Sequence, residues 1–502
     1  MPDMAYEVIV VGGGIGGLTT AALLAARGVN VCLLEKEART GGCAATFQKF
    51  GYEFEAGASL YASWQPGEIH ERVFAELPVA APEVRPVSPA YLVRLPDGTE
   101  VALTEDDEEF EENLRAAFPE CAGAAVGFYR EIAPLGEALM RVARRVPDLR
   151  TASKIRRMRA AASEARVASR VMAAMNHTAA QHLGQTSARF RRFIDVQLQI
   201  FAQRESLHCA YLYAAVALML PRRGMQTIRG GASGLAYALT ESIKKSGAMV
   251  RLNTPVLRLA YDASGRAFGV DLLSGETLEA TRAIVSNLSV WDTYGKLVGL
   301  GRTPDDVRVR LKSLHGWGAY LLYLGMDEAA AQRLPADHIL ALTDWQEDVA
   351  YDPEQSQLMF ASAPAWDSRA PAGKRAVTVS TFTEPTQWFA FHEDETEHEE
   401  QDQSTLEIWW ERLHGALPEL GDGIEVIETA TPRTYYENTR RKLGMVGGVG
   451  QSLDVFGMNS LSHRTSIHNL YMVGDSTFPG QGIAAVTQSG LIVANELAPP
   501  VS

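Results

Sequence analysis

Within the first 35 residues, one pattern restricts the fold more than anything else in the chain. Val8-Ile9-Val10-Val11 is a continuous apolar run of the kind shown by a parallel strand buried on both faces. Gly12-x-Gly14-x-x-Gly17 follows at once. Next come Leu18 to Arg27, good helix formers ended by Gly28, and then Val29 to Leu34, a second strand. Glycines so spaced permit a tight turn, close approach of backbone to a pyrophosphate, and close packing of helix on strand. The helix N-terminus adds unpaired N–H groups and the positive end of its dipole. Glu35, 23 positions after Gly12, stands where a carboxylate accepts hydrogen bonds from an adenosine ribose. Glycine-rich turns recur by chance, but here strand, turn, helix, second strand and acid agree on one βαβ unit that binds a dinucleotide. The acid disfavours a 2′-phosphate, so NAD or FAD is expected rather than NADP.

The residues after Glu35 separate the two. Lys36-Glu-Ala-Arg39-Thr-Gly41-Gly42 puts two bases and two glycines just past the acid. This resembles the second signature of glutathione-reductase-type FAD proteins, in which that loop lies along the FAD pyrophosphate. Near the other end, Asn469 to Gly490 reads as a strand, the turn Val473-Gly474-Asp475-Ser-Thr-Phe-Pro-Gly-Gln-Gly482, and a small-residue helix. It resembles the motif that completes an FAD site. By that resemblance Asp475 accepts from a ribityl hydroxyl, and the helix starting at Ile483 and Ala484 aims its N–H groups at flavin N1 and the C2 carbonyl. A dipole end there suits the negative charge of reduced flavin. Gly230-Gly-Ala-Ser-Gly234 follows Gln-Thr-Ile-Arg rather than an apolar strand, so no separate NAD domain is expected. Cys43 has Gln48 five residues on, where a redox disulfide needs another cysteine, so Cys32 and Cys43 read as small apolar packing.

Several further segments carry a family likeness. Phe54-Glu-Ala-Gly57-Ala-Ser59, Pro221-Arg-Arg-Gly-Met225-Gln226, Ala283-Ile-Val-Ser286-Asn287 and Thr431-Pro432-Arg-Thr434-Tyr435 are similar to stretches of the phytoene desaturase and carotenoid isomerase family, which includes retinol saturases. Phe478-Pro-Gly-Gln-Gly482 is nearer the isomerase branch, and Arg223 departs from the family by replacing a glycine. The resemblance implies FAD as cofactor and a lipophilic polyene as substrate, isomerised from cis to trans or desaturated. It also implies FAD contacts from Ser59 and from the Val256 backbone. The implied fold is α/β: a Rossmann-type FAD-binding domain from 1–75, 224–292 and 465–502, a helical, basic, membrane-facing part at 88–222, and a substrate domain at 293–464 with an antiparallel sheet. Val250 to Leu252, Val256 to Ala260 and Ala267 to Leu273 read as strands beside the flavin domain. Residues 315 to 325, 357 to 363 and 376 to 384 read as strands of the substrate sheet.

The 502 residues carry 47 Lys+Arg against 61 Asp+Glu, a net charge of −14, which opposes nucleic-acid binding through phosphate charge. Residues 141 to 170 are the exception, with ten bases against Asp148 and Glu164, or +8. Leu135, Leu139, Val142, Val146 and Leu149 recur there at helical spacing. A basic amphipathic stretch on an acidic protein suits the surface of an anionic membrane, though a solvated basic face or pairing with the protein's own acids is the plainer alternative. The acidic runs Glu105 to Glu112 and Glu393 to Glu400 read as solvated loops. No secretory start and no spanning helix are expected. Four scattered cysteines fit a reducing cytoplasm and offer no zinc motif, so no metal is expected. No Ser/His/Asp triad or HExxH is apparent, so no catalytic acid or base is named, and oligomeric state is unread. Two rivals on the same fold remain: an amine-oxidase-like flavin oxidase, whose final motif usually has Glu where Asp475 stands, and a lipid-binding protein without FAD, like the Rab GDP-dissociation inhibitors.

Overall fold

The computed structural model describes residues 5–57, 60–146, 152–343, 349–390 and 395–500. The first strand, Tyr6–Val11, is followed by the helix Ile15–Ala26 and the strand Val31–Leu34, as the opening pattern requires. Tyr6–Val11 pairs in parallel with Val31–Leu34 on one side and Thr277–Ser286 on the other. Met249–Arg251 and Leu470–Met472 extend this parallel core, while Val256–Tyr261 and Ala267–Leu272 attach as antiparallel strands, giving a seven-stranded sheet. Helices Ile15–Ala26, Gly231–Lys245 and Ile483–Leu497 bury one of its faces around Val8, Val10, Leu33 and Val285. The architecture is the expected α/β fold.

A second seven-stranded sheet runs in the order Ile424–Ala430, Gly318–Asp327, Lys374–Thr383, Gln357–Ser362, His338–Leu342, Leu92–Arg94, Glu100–Ala102. Three of the predicted substrate strands lie here at 318–327, 357–362 and 374–383. Leu92–Arg94 and Glu100–Ala102 lie inside the stretch expected to be helical, because Leu92 and Val93 pair in parallel with Ile339 and Leu340, a partner 247 positions away that no local pattern reveals. One face of this sheet packs Tyr320, Leu322 and Leu324 against Trp409 and Leu413 of the helix Glu395–Ala416. The acidic runs are therefore helix starts rather than loops. Asp107–Ala117 is capped by the Asp106 side chain and buries Phe110 and Leu114, and acids in a first helical turn interact favourably with the dipole. Residues 391–394 of the second run lie outside the described residues.

The third unit is helical: Ala122–Arg145, Lys154–Ser163, Ala165–Ala174, Ala188–Ala202 and Tyr211–Met219. Gly136 lets the long helix cross Tyr211–Met219 closely, since a Cβ there would stand 2.4 Å from the Ala215 carbonyl oxygen. Leu135 is buried, and Leu139 and Val142 are partly buried at the predicted spacing; Leu149 is outside the described residues. Among the described residues no helix is long and apolar enough to cross a membrane.

Candidate functional site

The first glycine turn works as the spacing implies. Gly12 has φ +99°, which favours glycine, and a Cβ on Gly17 would lie 2.4 Å from the Gly12 carbonyl oxygen. Gly17 is thus the residue that seats helix on strand. Gly14 caps the helix with no side-chain hydrogen bond, and no acid occupies the first turn, so the helix start keeps its N–H groups for a ligand. Gly41, at φ +122°, donates to the Gly13 carbonyl at 2.8 Å and brings the second glycine loop against the first. At the far end of the chain, Gly482 starts the helix Ile483–Leu497, again with neither a capping side chain nor an acid in the first turn.

These turns open on one cavity of about 930 Å³. Gly14, Gly41, Gly474, Asp475, Gly482, Ile483 and Ala484 all line it, so segments more than 400 residues apart in sequence converge. The remaining expected contacts stand behind that wall. Glu35 is buried and accepts from the Gly13 N–H at 2.6 Å and the Glu37 N–H at 2.9 Å, fixing the turn against the second strand. Lys36 reaches the Asn438 carbonyl at 2.7 Å, and Arg39 donates to the Thr46 carbonyl at 2.8 Å, so both bases brace loops. Gly12, Gly17 and Gly42 shape the turns. Val256 begins an edge strand two residues past Thr254, whose N–H donates to the Glu35 carbonyl. Ser59 lies outside the described residues.

Two residues that sequence reasoning does not single out as site residues sit at the centre. The Asn287 side chain lies between the glycine turns, where Cβ atoms on Gly14, Gly16 and Gly474 would meet it at 2.5, 2.9 and 3.0 Å. Arg441 pairs with Asp475 at 2.9 Å and donates to the Met445 carbonyl at 2.8 Å and to the Gly447 carbonyl. Burial alone would lower the Arg441 guanidinium, but the Asp475 carboxylate beside it outweighs that and raises it. Cys43, expected to be packing, lines the cavity next to this pair, and burial pushes its thiol up against the pull of Arg441. Cys32 does behave as core, with burial pushing its thiol up to about 11. In Arg440-Arg441-Lys442 the sequence offers three bases in a row and no sign that the middle one is buried.

The Gly230–Gly234 turn follows a short strand, Met225–Ile228, that carries Gln226 and Thr227 rather than a continuous apolar run. That strand pairs with Val84–Val87 in a separate two-stranded sheet. Its anion position is filled by the protein itself: Glu55 accepts from the Ala232 N–H at 3.0 Å and Asp367 from the Gly230 N–H at 2.7 Å. Arg369 bridges both acids at 3.0 and 2.7 Å.

Away from the glycine turns the cavity is walled by apolar side chains. The sheet contributes Leu321, Leu340, Met359 and Phe382, and the helices contribute Leu139, Val142, Val171, Met175, Leu212 and Val216. The cavity therefore runs from the two free helix N-termini to the basic helical unit. Among the described residues its two lining acids are both paired with arginine, Asp475 with Arg441 and Glu68 with Arg144 (2.7 Å) and Arg223 (2.8 Å).

Paired glycine turns facing two uncapped helix starts fit a dinucleotide with a pyrophosphate. The family model for flavin-containing amine oxidoreductases matches residues 15–498. The chain belongs to that family. Its cofactor is FAD, and it is an oxidoreductase by class. The chain is 26% identical to the chloroplastic prolycopene isomerase of Arabidopsis thaliana, over 99% of its own length and 83% of that protein's. It is 24% identical to the all-trans-retinol 13,14-reductase of Danio rerio, over 98% and 86%. Among solved structures, a double mutant of putrescine oxidase superposes with a TM-score of 0.66 at 14% identity, covering 99% of this chain and all of that one.

Proposed function

We propose that this chain converts cis double bonds of a lipophilic polyene to trans, with desaturation of the same class of molecule as the alternative outcome at the same site. One observation carries the reading: the cavity that begins at the glycine turns continues as a long apolar space whose far wall belongs to the basic helices. A polyene offers no ester, amide or phosphate to attack, and bound FAD supplies the electron chemistry that such a molecule needs. The protein's part is to bind and orient it and to exclude water, through Leu321, Met359, Phe382 and Leu212. Of the assigned contacts, we place the backbone of Gly14 and Gly41 at the pyrophosphate, Asp475 at the ribityl chain, and Gly482, Ile483 and Ala484 at the flavin. In this reading Gly12, Gly17, Glu35, Lys36, Arg39, Gly42 and Val256 hold the turns or reach the adenosine end. The prolycopene isomerase likeness supports the substrate class.

An amine substrate is the competing reading, favoured by the family name and by the putrescine oxidase likeness. A cationic amine needs a carboxylate or aromatic cage at its charge. Both carboxylates in the described cavity wall are already paired with arginine, so an amine's charge would fall to aromatic rings such as Tyr213, Phe382 and Tyr435 alone.

The reading includes peripheral contact with an anionic membrane. Ile155, Met158 and Met172 are exposed at 63%, 71% and 68%, interspersed with Arg156, Arg157, Arg159, Arg166 and Arg170. Exposed apolar side chains among bases match a helix lying in a lipid interface. Val171 and Met175 on the same helical unit line the cavity, so a ligand partitioned in lipid has a short route inward.

The test is anaerobic turnover of a poly-cis carotene in liposomes with FAD oxidised or pre-reduced. Unchanged mass with new trans bonds, with reduced flavin only, establishes isomerisation. Loss of two hydrogens with oxidised flavin establishes desaturation, and turnover of amines with none of the carotene refutes the reading. A protein that takes up no FAD would restore the flavin-free lipid-carrier alternative.

A further inference from the structure

Arg441 belongs to a segment, 440–448, that joins the three units of the molecule. Arg440 and Leu443 have φ +56° and +50°, so the chain turns on both sides of Arg441. The Val446 N–H donates at 2.8 Å to the carbonyl of Trp317, just before the second sheet's strand Gly318–Asp327, and its carbonyl accepts at 2.9 Å from Gln203, at the end of helix Ala188–Ala202. Gly448 lies against the FAD motif, where a Cβ would collide with the Asp475 carbonyl oxygen. The Arg441 guanidinium closes this segment on itself through the Met445 and Gly447 carbonyls and ties it to Asp475 at 2.9 Å. Both side chains line the main cavity and are largely buried, at 14% and 18% exposure.

The charges around this pair are otherwise matched. Asp292, a second acid that acts on Arg441, is held by Lys296 at 2.8 Å and accepts from the Lys442 N–H at 3.1 Å. Cys43 bonds the guanidinium as a neutral thiol, because burial pushes its ionisation up. Arg441 and Asp475 therefore cancel each other, and the uncapped start of helix Ile483–Leu497 on the same cavity keeps the positive end of its dipole. Without Arg441, the Asp475 carboxylate would stand alone in a mostly apolar wall. Two electrons and one proton leave reduced FAD with one more negative charge than oxidised FAD, and an uncancelled carboxylate nearby opposes that change.

We propose that Arg441 is a positioning residue that poises bound FAD towards its reduced form by cancelling the charge of Asp475. The inference rests on the placement of Asp475 at the ribityl chain and goes beyond it, from a hydrogen bond to control of the cofactor's potential. It is independent of which polyene reaction follows. Lysine carries the same charge without the planar fork, so charge and geometry can be separated at this position. A unit charge uncovered about 10 Å from a developing one, at an effective dielectric of about 20, shifts an equilibrium roughly tenfold or more.

The experiment measures the reduction potential of FAD in the loaded protein, by equilibration with a reference dye during anaerobic dithionite titration, together with the Kd for oxidised FAD. Arg441→Met should shift the balance about tenfold towards oxidised FAD, a fall of about 30 mV for a two-electron couple. Arg441→Lys should stay within about threefold of wild type. Asp475→Asn leaves the cation uncancelled and should raise the potential by about 30 mV; this opposite shift carries the test if Arg441→Met does not fold. The double variant Arg441→Met/Asp475→Asn is neutral again and should return to within about threefold of wild type. An unmoved potential in Arg441→Met, or one unmoved or lowered in Asp475→Asn, overturns the inference. So does an equal fall in Arg441→Lys and Arg441→Met, which would show that the fork and not the charge matters. Weaker FAD binding by Asp475→Asn with an unmoved potential overturns the inference alone, whereas FAD binding within about twofold of wild type overturns the placement of Asp475 with it.

Discussion

Replacing Gly14 or Gly17 with alanine separates two functions of one turn. At Gly14 the backbone has φ −74° and ψ 168°, which any residue adopts, so alanine brings no strain. Its Cβ would meet the Asn287 amide nitrogen at 2.5 Å, the end of a side chain that can rotate away. Gly14→Ala therefore leaves the apoprotein's stability within about 0.5 kcal/mol of wild type. The new methyl does project into the space that lines the cavity, and overfilling of this kind costs about 1–3 kcal/mol, or roughly fivefold to 150-fold in the FAD Kd. At Gly17 the obstacle is the Gly12 carbonyl oxygen at 2.4 Å, backbone on backbone, so helix and strand must part. Gly17→Ala should cost about 1–3 kcal/mol in the apoprotein itself. Urea unfolding of both apoproteins and FAD titration followed by flavin fluorescence read the two quantities separately. A Gly14→Ala protein that binds FAD within about twofold of wild type would refute the placement of the pyrophosphate beside this residue.

Arg369→Met should destabilise the protein by about 3–5 kcal/mol in urea unfolding, because Glu55 and Asp367 would remain buried without their shared cation; a loss under about 1 kcal/mol would show that the network is incidental. His70 is fully buried and stacked on Trp64 at 4.2 Å, and burial lowers its imidazole from 6.5 to about 3. The unfolded chain therefore gains a proton near pH 6.5 that the native state refuses, so this stabilisation is lost as pH falls from 6.5 towards 3. Between about pH 7 and 5.5 the loss should be about 1 kcal/mol, and it should be absent from the pH dependence of His70→Leu. Met359→Trp, on the cavity face of the second sheet opposite Ser380, should cut polyene kcat/KM at least about tenfold by filling the channel, with the flavin spectrum unchanged; undiminished turnover would move the substrate path elsewhere.

The parts of the fold legible in the sequence are those whose causes are local. Val8 to Val11, the glycine spacing and Glu35 lie within one βαβ unit, and Gly474-Asp475 with Gly482 carries its own turn chemistry, so these segments can be recognised one at a time. Their convergence on one cavity can be inferred only through resemblance. Arg441 is illegible because its burial depends on Asp475, 34 residues later, and on the carbonyls of Met445 and Gly447. The short strands at 92–94 and 100–102 escape notice for a similar reason, since partners far along the chain hold them in the sheet. The acidic runs read as loops although a contrary signal is present: Phe110 and Leu114 stand four apart, the spacing of a buried helical stripe, and charge density draws the reading away from it. Gly230–Gly234 looks unlike a nucleotide turn for its lack of an apolar strand, whereas the structural reason is that Glu55 and Asp367 already occupy the anion position.

The parallel core joins Tyr6–Val11 to Thr277–Ser286 and, through it, to Leu470–Met472. That ordering has a consequence for biosynthesis. A ribosome adding about 5–20 residues per second makes the first glycine turn roughly 20–90 s before it makes Gly474 and the helix beyond it. Throughout that interval the nascent chain has half of a nucleotide cradle and an unfinished sheet, with apolar strand edges that can pair with other chains. Flavin capture must wait for the last segment. Yellow colour in a cell extract would then count finished molecules, and chains released early would be left to chaperones and proteases.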